Sequence, residues 1–213
     1  EFKSILAVSG VTYSDILNYS LAVIERKTKS VLMDFKSMPE TESNSRQLIN
    51  ALVSVINFTY FIYAVAPKVN STIKLCRVVQ QIILFIKDQE LGVEFQHIVF
   101  KSIFDNTCSI LNKYSINKFT PIETLYLLVL LRQLGKYYWL DEAILIKYFN
   151  ISNDKGVLEF NSEMNYFSIT TLLFYICDKK RYQKIKDGLL EFIQTLYSKR
   201  RDTLLTDSEM VHL

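Results

Sequence analysis

Five glycines and three prolines punctuate 213 residues. A strand-and-turn fold needs many tight turns, so this scarcity argues for long helices instead. Histidine is scarcer still, with only His97 and His212. No HxxxH pair and no CxxC occurs, which speaks against a transition-metal site. Cys76, Cys108 and Cys177 lie far apart in apolar stretches. They read as small core residues of a reducing compartment, the cytoplasm, and not as a disulfide framework. There is no Gly-rich phosphate loop, no GxSxG elbow and no HExxH. Neither histidine has an arginine at the spacing used by helical ribonucleases. The reading therefore names no catalytic residue and no cofactor for this chain.

What is present is grease and mild positive charge. Hydrophobic residues make up 49% of the sequence, net charge is +3 and the pI is near 8.6. That composition supports a sizeable core and permits nucleic acid without demanding it. The longest apolar runs are "INALVSVINFTYFIYAVA" and "LYLLVLL". Asn50, Ser54, Asn57 and Thr59 interrupt the first and Arg132 ends the second, so both read as buried helices and no membrane partner is expected. "EFKSILAVSG" lacks the pattern of a secretory leader, and its missing Met is what a fragment of a longer chain would show.

The expected fold is all-α, with antiparallel helix pairs in a HEAT-like repeat stack. Apolar spacing predicts helices over 12–36, 46–66, about 71–87, 93–113, 120–135, 140–149, 165–178 and 181–200. "SMPETESNS" (37–45) reads as a polar, mobile loop, with Glu40 and Glu42 solvated. Ala66-Pro67 stops one helix, and Asn70 or Ser71 caps the next. In "TPIETLYLLVLLRQLG", Thr120 is the N-cap, Pro121 the first helical residue, Glu123 the capping-box partner and Gly135 the left-handed terminator. "VLEF" suits a brief strand, and Asp207 or Ser208 would cap one more helix. The stretches 120–149 and 165–200 are similar pairs with starts about 45 residues apart, the period of HEAT-like repeats. Three regions follow: 1–45, an N-terminal helix and loop joining an upstream domain; 46–118, a helical hairpin region; and 119–213, repeat pairs cut at the C-terminus.

Basic residues carry what chemistry there is. Asn70, Lys74, Arg77 and Gln81 step by helical turns and form one polar stripe, with Lys68 just before it. The stripe is either a phosphate grip or the wetted face of a hairpin, and Arg77 is free to join an internal ion pair. "KKRYQKIK" places Lys179, Lys180, Arg181 and Lys184 at one end of a helix, and "SKRR" places Arg200 and Arg201 at the other. These are either nucleic-acid contacts or a solvated face. Tyr137, Tyr138 and Trp139 either stack bases beside Lys136 or plug the gap between helix pairs, the plug being favoured.

The segment "FTYFIYAVAPKVNSTIKLCRVVQQIILFIK" resembles a stretch of the bacterial antiphage reverse transcriptases of the abortive-infection and defence-associated class. There it follows the polymerase domain and opens an α-helical repeat region. "TPIETLYLLVLLRQLG" and "NYFSITTLLFYI" look like repeats of that region, and the resemblance spans about residues 46–213. It implies the non-catalytic part of a DNA-synthesising nucleotidyltransferase, whose Mg would sit in the polymerase domain. The implied partners are that polymerase domain in the same chain, single-stranded DNA or RNA, and other protomers of a homo-oligomer. "YSDI" (13–16) lacks the second acid of the polymerase Tyr-x-Asp-Asp motif, so no catalytic residue carries over. The alternatives are an α-helical protein-interaction scaffold with no nucleic-acid role, and an independent helical enzyme with an unrecognised site.

Overall fold

The computed structural model describes residues 10, 12–39, 41–65, 69–89, 92–113, 119–135, 138–154, 157–161, 164 and 166–206. At 13, 14, 69, 70, 121 and 200–206 it describes the backbone alone. The fold is all-α. Among the described residues the helices are α1 (Tyr13–Lys36), α2 (Glu42–Val65), α3 (Val69–Asp88), α4 (Val93–Lys113), α5 (Pro121–Gln133), α6 (Glu142–Tyr148), α7 (Tyr166–Ile176) and α8 (Gln183–Thr206). The chain forms two compact units that divide between Leu140 and Asp141. The helices read from sequence as one pair over 120–149 thus fall in different units.

Polar contacts set the direction of the helices in the first unit. Asn18 of α1 meets Ser71 and Lys74 of α3, Glu25 meets Arg77, and Lys36 meets Asp88. Both numbers rise together, so α1 and α3 run parallel. The same holds for α2 and α4, where Asn57 meets Ser102 and Tyr60 meets Thr107. It holds again for α3 and α5, where Thr72 meets Glu123 and Lys87 meets the Gln133 carbonyl. The connections between consecutive helices are only a few residues long, which sets neighbours antiparallel and agrees with the parallel run of alternate ones. The result is two layers, α1–α3–α5 and α2–α4, which is how helix hairpins stack in a HEAT-like repeat. Helix α3 packs on α1, α2, α4 and α5 and so forms the axis of the core. Val78, Val79, Ile82, Ile83 and Ile86 along it are completely buried.

Local chemistry explains several helix ends. Thr120 adopts extended geometry (φ −69°, ψ 153°) and closes a capping box with Glu123. Gly135 takes φ +94°, which is open to glycine and strained for other residues. Thr12 and Asp15 make a second capping box at α1. Two expectations fail here. The polar segment 37–45 is not all loop: α2 begins at Glu42, where an acid suits the first turn and pairs with Arg46 one turn on at 2.6 Å. Nor does Asn70 or Ser71 cap α3, because the helix already runs from Val69. Ser71 is buried and donates to Asn18 Oδ1 at 2.9 Å, so its hydroxyl joins two helices rather than opening one.

Tyr138 and Trp139 are buried, in keeping with the plug. The Tyr138 ring lies 6.1 Å from Phe100 and 5.7 Å from Phe104, both on α4. Its hydroxyl sits 2.6 Å from His97 Nδ1, and burial followed by the nearby Asp105 charge raises its pKa. Tyr137 lies outside the described residues. Helix α2 is long and apolar enough to cross a membrane by length and composition, and here it packs against α1, α3 and α4.

In the second unit, Ser152–Asp154 and Val157–Glu159 form a small antiparallel hairpin, β1 and β2, with Ser152 opposite Glu159. This is the brief strand expected of "VLEF". Gly188 of α8 lets the hairpin approach: a Cβ there would stand 3.1 Å from the Phe160 ring. The unit's core joins Leu172 and Tyr175 of α7 to Ile185 and Leu189 of α8, with Tyr182 between. Lys180–Tyr182 forms a 3-10 turn before α8, which runs on to Thr206, past the expected end at 200. The further helix expected at Asp207 or Ser208 lies outside the described residues.

The cysteines divide in behaviour. Cys76 is buried, and desolvation pushes its thiol up to about 12. Cys108 is half-buried, while Cys177 is exposed, which corrects the expectation of a core residue. A folded pKa above the unfolded one favours folding below the unfolded value and loses that contribution as pH rises. The urea midpoint should therefore fall between about pH 9 and 12, and less so in Cys76→Ala. A Cys76→Ala profile parallel to that of the parent would contradict this origin.

Candidate nucleic-acid interface

The polar stripe predicted on α3 lies beside α1. Asn18, Ile73, Lys74 and Arg77 line an opening of about 400 Å³ between the two helices. Lys74 is half-buried and donates to the Asn18 carbonyl at 2.9 Å. One of the three ammonium protons is thereby directed to α1. Arg77 is exposed, at 64% of its side chain, and stands 4.0 Å from Glu25. An ion pair that long and that wet contributes little. The guanidinium retains donors for another acceptor. Gln81 is half-buried, with Oε1 screened from solvent and without a hydrogen-bond partner among the described residues.

Periodicity explains the placement. Apolar residues fill most of α3's buried surface, while Ser71, Lys74 and Arg77 recur on the side toward α1. A cation on that side reaches water or a polyanion without being desolvated. Lys74 and Arg77 stand one turn apart, about 4.5 Å along the axis, so two cations serve one short length of groove.

The other nominated residues are not gathered there. Lys68 lies outside the described residues, and Asn70 is described in backbone only, within the first turn of α3. Lys179, Lys180, Arg181 and Lys184 surround the 3-10 turn of the second unit. Arg181 stands 3.9 Å from Asp141, and its guanidinium carbon lies 5.6 Å over the Tyr182 ring. Arg200 and Arg201 are described in backbone only, within α8. Sixteen helical residues separate Lys184 from Arg200, about 24 Å of axis, so the two basic clusters do not form one point site.

Sequence reasoning missed the α1 side of the groove. Asn18 and Glu25 had no local signal, because their role depends on which helix packs beside them. Arg26, Lys27 and Lys29 did have one, the run "ERKTK", and all three are exposed. Among the described residues no group of three or more His, Cys, Asp or Glu side chains is placed to hold a metal ion. No protein-family model matches the chain, and neither the curated proteins nor the solved structures give a match.

Proposed function

We propose that this chain is the non-catalytic helical-repeat part of a bacterial antiphage defence reverse transcriptase, and that the α1–α3 groove contacts single-stranded nucleic acid. The stack would brace the polymerase domain, where the Mg-dependent chemistry belongs on this reading. The observation that carries the proposal is the pairing of Lys74 and Arg77 in one open groove, with Arg77 exposed and only loosely opposed by Glu25. An ammionium-type charge and a planar guanidinium on neighbouring turns suit consecutive backbone phosphates. A groove open to solvent suits a strand that passes through rather than a small molecule that is enclosed.

A second reading has its own support. Phe58, Phe61 and Val65 follow one stripe of α2 and are 45–66% exposed. An apolar stripe of that kind suits a protein surface, as a scaffold or protomer contact would require. The two readings separate by experiment. Fluorescence anisotropy with a labelled single-stranded oligonucleotide should show binding by the parent chain. Lys74→Ala with Arg77→Ala should weaken it roughly tenfold, about 1.4 kcal/mol, with the fold checked by circular dichroism. Unchanged affinity in the folded variant would remove the groove from the proposal and favour the scaffold.

A further inference from the structure

The register between α1 and α3 locates two more cations. Lys36 and Asp88 pair across 52 positions, and Glu25 and Arg77 are separated by the same 52. Two parallel helices with equal rise keep that offset, so Lys29 of α1 stands level with Gln81 of α3. Lys29 lies one turn beyond Glu25 and two turns before Lys36, on the stripe that these residues show to face α3. The α3 residue at its level is uncharged. Two levels are charged on both helices and pair, Arg77 with Glu25 and Asp88 with Lys36. Lys29 and its neighbour Arg26 are exposed, and neither makes an ion pair among the described residues. Arg26 stands on the outer rim of α1, two turns from the exposed Tyr19.

We infer that the nucleic-acid track does not end at Lys74 and Arg77 but continues along α1, with Arg26 and Lys29 as the next phosphate contacts. This rests on the reading given under Proposed function. From the level of Lys74 to that of Lys29 is seven residues of rise, about 10 Å. The track thereby lengthens from the roughly 4.5 Å between Lys74 and Arg77 to about 10 Å, room for a further phosphate of an extended strand.

The test is the salt dependence of binding. For single strands the slope of log K against log salt changes by about 0.7 for each phosphate contact. In Arg26→Ala/Lys29→Ala of the full chain, the slope for a labelled single-stranded DNA should be shallower by about 1.4. Alanine suits an exposed helix position, so the variant should keep its circular dichroism and urea midpoint. Lys101→Ala/Lys113→Ala on α4, in the other layer, should leave the slope unchanged. If Lys74→Ala/Arg77→Ala lowers the slope and Arg26→Ala/Lys29→Ala does not, the extension is wrong and the groove stands. If the parent chain binds no single strand at low salt, the underlying reading fails, and this inference with it.

Discussion

Glu123→Ala will cost the first unit about 3–4 kcal/mol, the sum of a lost cap and of the charge-assisted hydrogen bond from the buried Thr72 hydroxyl. The carboxylate is buried, at 4% exposure, and both oxygens are in use. Oε1 accepts from Thr72 Oγ1 at 2.8 Å. Oε2 accepts from the Thr120 backbone N–H at 2.7 Å and from its hydroxyl at 2.8 Å. Thr72 in turn lies 2.8 Å from the Tyr63 hydroxyl on α2. One side chain therefore caps α5 and anchors a polar chain through α3 to α2. Removing it takes the carboxylate acceptor from the buried Thr72 hydroxyl and from the exposed Thr120, and a hydrogen bond to a charged group contributes about 1.5–3 kcal/mol. Glu123→Gln keeps the shape and loses the charge-assisted bonds, so it should fall between. Urea unfolding followed by far-UV circular dichroism gives the number, and a loss below about 1 kcal/mol would show that the network is slack.

Ile82→Ala should be of similar size, about 3–4 kcal/mol, for an unrelated reason. Ile82 is completely buried on α3, the helix that touches four others. Neighbours on several elements cannot all collapse into the space left, so a cavity term adds to the lost transfer energy. Leu84 is two residues away on the same helix but 57% exposed. Leu84→Ala should therefore stay within about 0.5 kcal/mol. Equal losses at the two positions would contradict the placement of α3 at the axis of the core.

These two residues show what was legible in the sequence. The Thr120–Glu123 box and Gly135 were readable because capping is a local affair of three or four residues. The inward face of α3 was readable from the spacing of its isoleucines and valines. That Glu123 also binds Thr72 was not readable, since the two are 51 positions apart and meet only when α3 packs on α5. The groove was half legible for the same reason. Lys74 and Arg77 announced themselves as a polar stripe on an apolar helix, while Asn18 and Glu25 had nothing local to mark them. Ser71 misled, because a serine near a helix start has the chemistry of a cap and here serves a neighbouring helix. Cys177 misled likewise: an apolar neighbourhood in sequence is not burial when the residue falls at the C-terminal turn of α7.

Phosphate contact by Lys74 and Arg77 is measured most directly as the affinity of the full chain for single-stranded DNA across a salt series, in the parent and in Lys74→Ala/Arg77→Ala. Phosphate contact predicts a linear fall of log K with log salt, and a slope shallower by about 1.4 in the variant. Equal slopes in two folded proteins would contradict it.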